Sequence, residues 1–321
     1  MAKRKQEYSG IGGQAVLEGV MMKNGDKYAV AIRKPDGEID VQVEEYKGVC
    51  GGKSFAKIPF IRGVFAFIDS LILGMRVTMH SASFYEEEEE NSSGKTGQTL
   101  EKTLGSKADD IMMGLTVAFS VIIAVALFML LPFFLSDLLG KYIRNDSIIA
   151  MLEGLLRILI FVCYIVAISL MKDIRRLYMY HGAEHKCINC LERGRPLTVR
   201  NVMKSSRQHK RCGTSFLLFV VLVSVIVFFF IRVENMALKL LIRLLLVPVI
   251  ASISYEIIRL AGRSNNILVR IISAPGMWMQ RLTTKEPDED MVKVAIASVE
   301  AVFDWRTYLQ EHFGYQEEDI Y

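Results

Sequence analysis

The sequence predicts an α-helical polytopic membrane protein, with about four transmembrane helices in two hairpins and a small cytosolic α+β unit at the N-terminus. Two observations indicate this fold class. Hydrophobic residues make up 51% of the 321 positions and the mean hydropathy is +0.28, values that are high for a soluble protein. Lysine and arginine are also concentrated in one segment between apolar stretches, which is typical of the cytosolic loops of membrane proteins.

The predicted spans are residues 111–135, 148–171, 215–231 and 236–258. The first carries no charge over 25 positions, and a helix needs roughly 20 residues to cross the hydrocarbon core of a bilayer. The second contains Glu153 and Arg157, which are four residues apart and can pair on one helix face. The fourth contains Lys239 and Arg243 near one end, where long side chains can reach the membrane interface.

The basic segment gives the orientation. Residues 172–214 contain eleven Lys and Arg against three Asp and Glu, which places this loop in the cytosol by the positive-inside rule. An even number of spans then puts both termini in the cytosol as well. The five cysteines accordingly lie in the cytosol or in a helix, where metal ligation explains their clustering better than disulfide formation does.

The composition of the chain predicts its segments. Two alternating runs around Pro35, Asp36 and Gly37 predict a β-hairpin near the N-terminus. Five consecutive glutamates followed by Ser and Gly predict disorder, because such a run cannot bury a core. The predicted segments are a cytosolic α+β unit (1–57), an interfacial or re-entrant segment (58–84), an acidic disordered linker (85–108), a transmembrane domain containing a cytosolic metal-site loop at 172–214 (109–266), and an interfacial segment with a cytosolic tail (267–321).

A candidate metal motif lies within the basic loop. His181 and His185 are four residues apart, so on a helix they project from the same face, and Glu184 lies between them in sequence. The pattern H-x-x-E-H is the inverted form of the zinc-protease signature, in which two imidazoles bind zinc and the carboxylate takes a proton from the bound water. Zinc lowers the pKa of such a water to about 7. The motif predicts a divalent metal ion, with zinc the best match, and Glu184 as catalytic base.

Further candidate ligands follow in the same loop, and they leave two arrangements open. In a closed arrangement, Cys187, Cys190, His209 and Cys212 surround a tetrahedral structural ion, since C-x2-C followed by H-x2-C is the spacing of such sites. In an open arrangement, the two histidines of the H-x-x-E-H motif are joined by His209, Cys212 or both, and a water completes the shell. Only the open arrangement supports catalysis.

Five segments carry a resemblance to known proteins: IGGQAVLEGVMMKNG (11–25), YHGAEHKCINC (180–190), RQHKRCGTSFLL (207–218), SYEIIRLAGR (254–263) and APGMWMQRLTTKEPDEDMVKVAI (274–296). Together they resemble the YqhQ-like family of bacterial membrane proteins, a domain of unknown function described as predicted metal-dependent enzymes. The resemblance implies a bacterial cell membrane location. In that family the HGAEHK and H-x-R-C-G-T-S-F blocks recur, whereas other residues commonly occupy the positions of Cys187 and Cys190, which favours the open arrangement.

Three polar residues elsewhere are weaker candidates. Glu256, near the cytosolic end of the fourth span, is predicted either to support a metal ligand or to pair with Arg259 or Arg263. Gln14 and Glu18 lie in a glycine-rich segment without phosphate-loop spacing, which by itself indicates tight backbone turns. The family resemblance makes this segment a candidate second wall of the site.

The predicted function is a membrane-embedded metal-dependent enzyme, a hydrolase that acts at the cytosolic membrane interface through a metal-activated water. Its partners are membrane lipids and an unidentified peptide, lipid-linked or phosphorylated substrate. Nucleic-acid binding is not expected, because the basic run lacks interleaved aromatic residues. The alternative is a non-catalytic membrane scaffold or regulatory protein whose metal has a structural role.

Overall fold

The computed structural model describes residues 6–51, 58–92, 114–143, 145–231, 233, 235–263, 266–316 and 318, with side chains for all of these except 86–92 and 263. The chain forms two compact units. The sheet unit comprises Met1–Tyr85, Ala167–Val220 and Pro248–Tyr321, and the helical unit comprises Glu86–Val166 and Val221–Val247.

The sheet has four antiparallel strands in the order β1-β2-β3-β4: β1 (Gly12–Val16), β2 (Gly19–Asn24), β3 (Lys27–Arg33) and β4 (Ile39–Glu45). The predicted hairpin is confirmed, because β3 and β4 pair on either side of a turn in which Gly37 has φ +89°. The glycine-rich segment forms β1 and β2, which pair from Gly12 opposite Lys23 to Val16 opposite Gly19. Glu18, in the turn between them, has φ +50°.

The helices are α1 (Ile61–Ser92), α2 (Gly114–Gly140), α3 (Asp146–Ser169), α4 (Lys172–Glu192), α5 (Val199–Met203), α6 (Gly213–Phe229), α7 (Met236–Arg263), α8 (Ile267–Thr283), α9 (Glu289–Val302) and α10 (Trp305–Phe313). Several helix ends carry a capping residue. Asp288 accepts a hydrogen bond from Met291 N (2.8 Å) at the start of α9, and Gly314 closes α10 in the left-handed conformation.

Helices cover both faces of the sheet. Since side chains alternate along a strand, Val20 and Met22 point to the opposite face from Met21. The first face packs against α4 and α9 in the main core of the molecule. The second face packs against Leu73 and Val77 of α1. The helices on the first face come from residues far along the chain, whereas α1 on the second face directly follows the strands. The first face of the sheet thereby positions α4.

Three described helices are long and apolar enough to cross a membrane: α2, α3 and, over Met236–Gly262, α7. The fourth predicted span corresponds to α6, which is apolar but shorter, with 17 residues. The apolar helices thus form where the sequence predicts them, with ends that differ from the predicted ends by at most five residues. That they cross a membrane, and that α6 makes a fourth span, stay predictions.

Parts of the remaining predicted segments lie within the described residues. Helix α1 extends over the segment predicted as interfacial and on through the first part of the predicted linker, to Ser92. Residues 93–108 of that linker lie outside the described residues. The segment 267–321 contains α8, α9 and α10.

Candidate metal centre

Helix α4 presents the predicted motif as one cluster. His181 and His185, one helical turn apart, have ring centroids 4.4 Å apart. Cys212, at the end of the loop that precedes α6, lies with its Sγ 3.2 Å from His181 Nε2. One donor atom from each of these three residues lies within 4.8 Å of the others. Donors around one tetrahedral zinc ion are about 3.3–3.8 Å apart, so a small inward adjustment would let all three reach one ion.

The other nitrogen of each imidazole is held by a backbone carbonyl. His181 Nδ1 lies 2.9 Å from Thr283 O, and His185 Nδ1 lies 2.7 Å from Arg207 O. Because a carbonyl only accepts hydrogen bonds, both Nδ1 atoms carry a proton, which leaves Nε2 of each ring as the atom that could bind a metal in its deprotonated form. Metal-binding histidines are usually oriented in this way. The side chains present therefore fit a metal ion.

The electrostatics of the cluster favour a thiolate. Burial alone would raise the pKa of the Cys212 thiol, but the adjacent His181 and His185 imidazoles hold it well below its ordinary value. Burial likewise opposes the charged form of His181, yet the neighbouring thiolate raises the pKa of His181 to about 9. The thiolate is the form of cysteine that binds metals. The cluster thus holds a negative sulfur ligand between two imidazoles.

Glu184 lies beside the three candidate ligands. Its side chain is buried, and its Oε2 has no hydrogen-bond partner among the described residues. Burial raises the pKa of this carboxyl group, whereas the charges of His185 and His181 lower it. Strand β1 forms the adjoining wall, since a Cβ added to Gly13 would lie 2.8 Å from Glu184 Cγ. A buried carboxylate oxygen without a partner is suited to accept a proton.

Cys187 and Cys190 lie in the apolar core on another side of α4. Burial raises the pKa of Cys190 to about 11 and that of Cys187 well above its ordinary value, so both are neutral thiols. The Cys190 thiol points toward the carbonyls of Arg195 and Pro196. Among the described residues, the structure does not gather the four side chains of the closed arrangement around one point.

His209 is buried but bonded elsewhere. Its Nε2 lies 3.2 Å from Glu192 Oε2, and its ring centroid is 5.9 Å from that of His185. The same carboxylate forms an ion pair with Arg211. Gln280 fixes the backbone of His209 through its side-chain amide, at 2.8 Å to N and 2.7 Å to O. The structure thus brings His209 close to the cluster without making it a member.

Residues that the sequence did not single out hold the loop against α4. Lys186 donates to the carbonyls of Met203 (2.7 Å) and Ser205 (3.1 Å). Asn189 donates to the carbonyls of Ser206 (2.7 Å) and Gln208 (2.9 Å), again from buried positions on α4. A sequence signal exists, because polar residues recur on one side of α4 at positions 181, 185, 189 and 192.

The three weaker candidates are engaged away from the cluster. Glu256 pairs with Arg62, which the sequence did not single out, and the side chain of the predicted partner Arg263 lies outside the described residues. Glu18 pairs with Arg176 and accepts a hydrogen bond from Tyr180 (3.1 Å). The Gln14 side chain is directed toward α1, where a Cβ on Gly74 would lie 2.8 Å from its Oε1. Within the same glycine-rich segment, the residue that lies against Glu184 is Gly13 of β1.

Comparison with known proteins agrees with the resemblance seen in the sequence. A family profile described as "Protein of unknown function (DUF1385)" matches residues 58–305. A relative in Bacillus subtilis (strain 168), named "Uncharacterized protein YqhQ", is 35% identical over 292 residues, which cover 89% of this chain and 90% of the relative. No solved structure matches the chain.

Proposed function

The chain belongs to the DUF1385 family of proteins of unknown function, and we propose that it is a membrane-embedded metal-dependent hydrolase. The observation that carries the proposal is the arrangement of one donor atom each from His181, His185 and Cys212 within 4.8 Å of one another. Beside them lies a Glu184 carboxylate oxygen that has no partner among the residues the structure describes. Three protein ligands leave one position of a tetrahedral ion open, as in catalytic zinc sites.

Zinc is the ion that this donor set suits best. Mixed imidazole and thiolate ligands favour zinc, whereas magnesium and calcium take oxygen ligands. The carbonyl contacts of His181 and His185 leave both Nε2 atoms available, and the low pKa of Cys212 supplies the thiolate. With a metal bound and the extra proton of His181 released, the site would have one negative and two neutral ligands.

The residues around the cluster have separate roles in the proposed reaction. A zinc ion would supply Lewis acidity and lower the pKa of a water near the site. Glu184 would accept a proton from such a water through its Oε2 and would later return it to the leaving group. Gly13 fixes the carboxylate from the β1 side, because no side chain separates the strand from Glu184.

The proposed location is the cytosolic face of the bacterial cell membrane. Three apolar helices of sufficient length support membrane insertion, and the basic segment 172–214 supports a cytosolic position for the cluster and both termini. Helix α8 supports the interfacial placement, because it combines basic residues with a set of exposed apolar side chains on one side. These are Ile267, Leu268, Ile271, Ile272 and Trp278.

The test is zinc content and hydrolysis in the same full-length preparations. Plasma mass spectrometry should give about one zinc per wild-type chain, and Cys212→Ser should lose most of it. Glu184→Gln should retain the zinc but lose hydrolysis of those test substrates that the wild type cleaves, drawn from fluorogenic peptides, p-nitrophenyl esters and p-nitrophenyl phosphate. Zinc loss in Glu184→Gln would identify Glu184 as a ligand, and unchanged hydrolysis would exclude it as the base.

A structural metal site in a scaffold protein is the second candidate. Its support is that the cluster is enclosed, with His185 and Cys212 only 1% and 3% exposed, and that it joins α4 to the segment preceding α6. Under this alternative the wild type hydrolyses none of the test substrates, and removing zinc with a chelator lowers the unfolding temperature as much as Cys212→Ser does.

A further inference from the structure

Strand β1 forms one edge of the sheet, because β2 is its one neighbour among the described strands. The turn of two residues between β1 and β2 makes Val16 and Gly19 a hydrogen-bonded pair. Since the N–H and C=O groups of an antiparallel strand alternate between its two sides, every second residue of β1 faces β2. The intervening Gly13 and Ala15 therefore direct their backbone groups away from the sheet.

A contact on the other side of β2 agrees with this alternation. Arg33 N donates to Glu18 O (2.9 Å), so the even-numbered residues of β2 face β3 and the odd-numbered ones face β1. Gly13 and Ala15 are partly exposed, and their outward N–H and C=O groups form no hydrogen bond with the residues that the structure describes. We call these four groups the free edge. It offers two donors and two acceptors to another chain.

The free edge lies beside the candidate metal centre. Gly13 is against Glu184, because a Cβ placed on Gly13 would be 2.8 Å from Glu184 Cγ. The Glu184 carboxyl group is within electrostatic reach of His181 and His185. A chain bound along the free edge would therefore pass close to the proposed catalytic base.

A cavity of about 290 Å³ adjoins the same strand. Its volume is close to the lower end of the roughly 300–1,000 Å³ typical of small-molecule sites. The lining includes Gly12, Gly13 and Gln14 of β1 and Leu73 of α1. A Cβ on Gly12 would meet nothing within 4 Å, so there is open space beside the strand. Because side chains alternate along a strand, every second side chain of an added chain would be directed to this cavity.

We propose that an extended peptide binds along the free edge as a fifth strand of the sheet, and that this peptide is the substrate of the proposed hydrolase. Strand addition recognises the main chain of a peptide, because every residue except proline offers one N–H and one C=O. The inference rests on the proposed function, for which it names the substrate class.

A peptide matches the free edge better than the other candidate substrates do. Gly13 and Ala15 are two residues apart, which corresponds to about 6.6 Å along a strand. An extended peptide repeats its N–H and C=O groups at this same spacing. Lipid headgroups and phosphate esters have no such repeat of donors and acceptors.

The reaction is the hydrolysis of one peptide bond. The oxygen of a water bonds to the scissile carbonyl carbon and the C–N bond breaks, which gives a carboxylic acid and an amine. Glu184 carries a proton from the water to the leaving nitrogen. Binding along the free edge holds the scissile bond close to Glu184, and such positioning lowers the barrier of the reaction.

The experiment begins with the peptide backbone. Full-length protein in detergent is given internally quenched peptides of mixed sequence, each about ten residues long and so able to span β1. A peptide that is cleaved is then N-methylated at each amide in turn, except the scissile one. Methylation at two amides that are two residues apart should lower kcat/KM about tenfold or more, because these N–H groups donate to Gly13 O and Ala15 O. The amide between them points away and should tolerate the methyl group.

Two variants and a matched control test the free edge in the protein. Ala15→Pro removes an outward N–H, which an edge strand tolerates, and should lower kcat/KM about five- to tenfold. Val43→Pro removes an outward N–H from β4, at the opposite edge of the sheet, and should leave kcat/KM unchanged. Gly12→Val fills open space at the cavity, so it should raise KM without unfolding the protein.

Three results would overturn the proposal. These are an equal effect of N-methylation at consecutive amides, an equal loss of kcat/KM in Ala15→Pro and Val43→Pro, and an unchanged KM in Gly12→Val. If Ala15→Pro fails to fold, the N-methylated peptides and Gly12→Val still decide.

Binding to Glu184→Gln separates this inference from the proposed function. Fluorescein-labelled peptides of the same series should bind this variant with the same alternating effect of N-methylation, measured by fluorescence anisotropy. Such binding, in a protein whose wild type cleaves no substrate, would contradict the hydrolase while supporting the peptide site. Ester hydrolysis by the zinc-bound wild type without peptide binding would overturn the peptide site and leave the hydrolase standing.

Discussion

Replacing Glu192 with Gln tests whether His209 serves the fold or the metal. The Glu192 carboxylate is 2% exposed and accepts hydrogen bonds from several groups of the sheet unit. These are Gln6 Nε2 (3.1 Å), Ser9 N (3.2 Å), Ser9 Oγ (3.0 Å), His209 Nε2 (3.2 Å) and the Arg211 guanidinium. The structure therefore makes Glu192 a stabilising group that joins the N-terminal segment to the loop before α6.

The size of the stabilisation by Glu192 follows from the pKa of its carboxyl group. Burial alone would raise the pKa, but the hydrogen bond from His209 and the charge of Arg211 lower it from the ordinary 4.5 to about 2. A difference of that size corresponds to a free energy on the order of 3 kcal/mol. Because the folded-state pKa is depressed, this stabilisation is fully present above about pH 4.5 and is lost as the pH falls toward about 2.

The assay is urea unfolding of the full-length protein in detergent, followed by the fluorescence of Trp305, which is buried in the same core. Glu192→Gln should lower the free energy of unfolding at pH 7 by about 3 kcal/mol, and its difference from the wild type should shrink below about pH 4.5. The exposed Glu311→Gln is the control and should change little. A pH-independent difference would refute the electrostatic explanation.

Glu192→Gln should also keep its zinc, because His209 bonds to Glu192 and is not a ligand in the structure. Loss of zinc in this variant would instead connect the contact between His209 and Glu192 to metal binding. Cys187→Ser combined with Cys190→Ser should leave zinc stoichiometry unchanged, whereas release of the ion would support the closed arrangement. Gly13→Ala should destabilise the protein by about 1–3 kcal/mol through overpacking against Glu184, and a normal unfolding midpoint with full hydrolysis would refute the close contact. Apparent zinc affinity, measured by chelator competition, should fall about tenfold for each pH unit between pH 8 and 6. The reason is that the pKa of His181 is raised to about 9, so His181 must release a proton to bind metal. An affinity that does not change with pH would contradict this.

The local parts of the site could be predicted from the sequence. The spacing of His181, Glu184 and His185 requires only that the segment be helical, and α4 provides that. Cys212 was a candidate ligand because of its spacing from His209, and the structure places it in the cluster. The apolar helices and the hairpin around Gly37 depend on composition and local turn chemistry, so they were also predictable.

The features that could not be predicted from the sequence depend on contacts between residues that are distant along the chain. The pairing of His209 with Glu192 spans 17 positions, and the polar side of α4 does not by itself indicate which residue Glu192 contacts. Arg243 turns inward because Glu153, 90 positions away, shares its carboxylate with it. Strands β1 and β2 were read as turns because their glycines are typical of loops, yet Gly13 is required where the strand approaches Glu184.

The central claim is that His181, His185 and Cys212 hold one divalent ion with an open position. Zinc K-edge X-ray absorption on the purified full-length protein tests this most directly, because it counts sulfur and nitrogen neighbours of the ion. The expected first shell has one sulfur and two imidazole nitrogens, with a further light atom. A shell of three sulfurs and one nitrogen would indicate the closed arrangement, and a protein that retains no zinc after reconstitution would contradict the claim altogether.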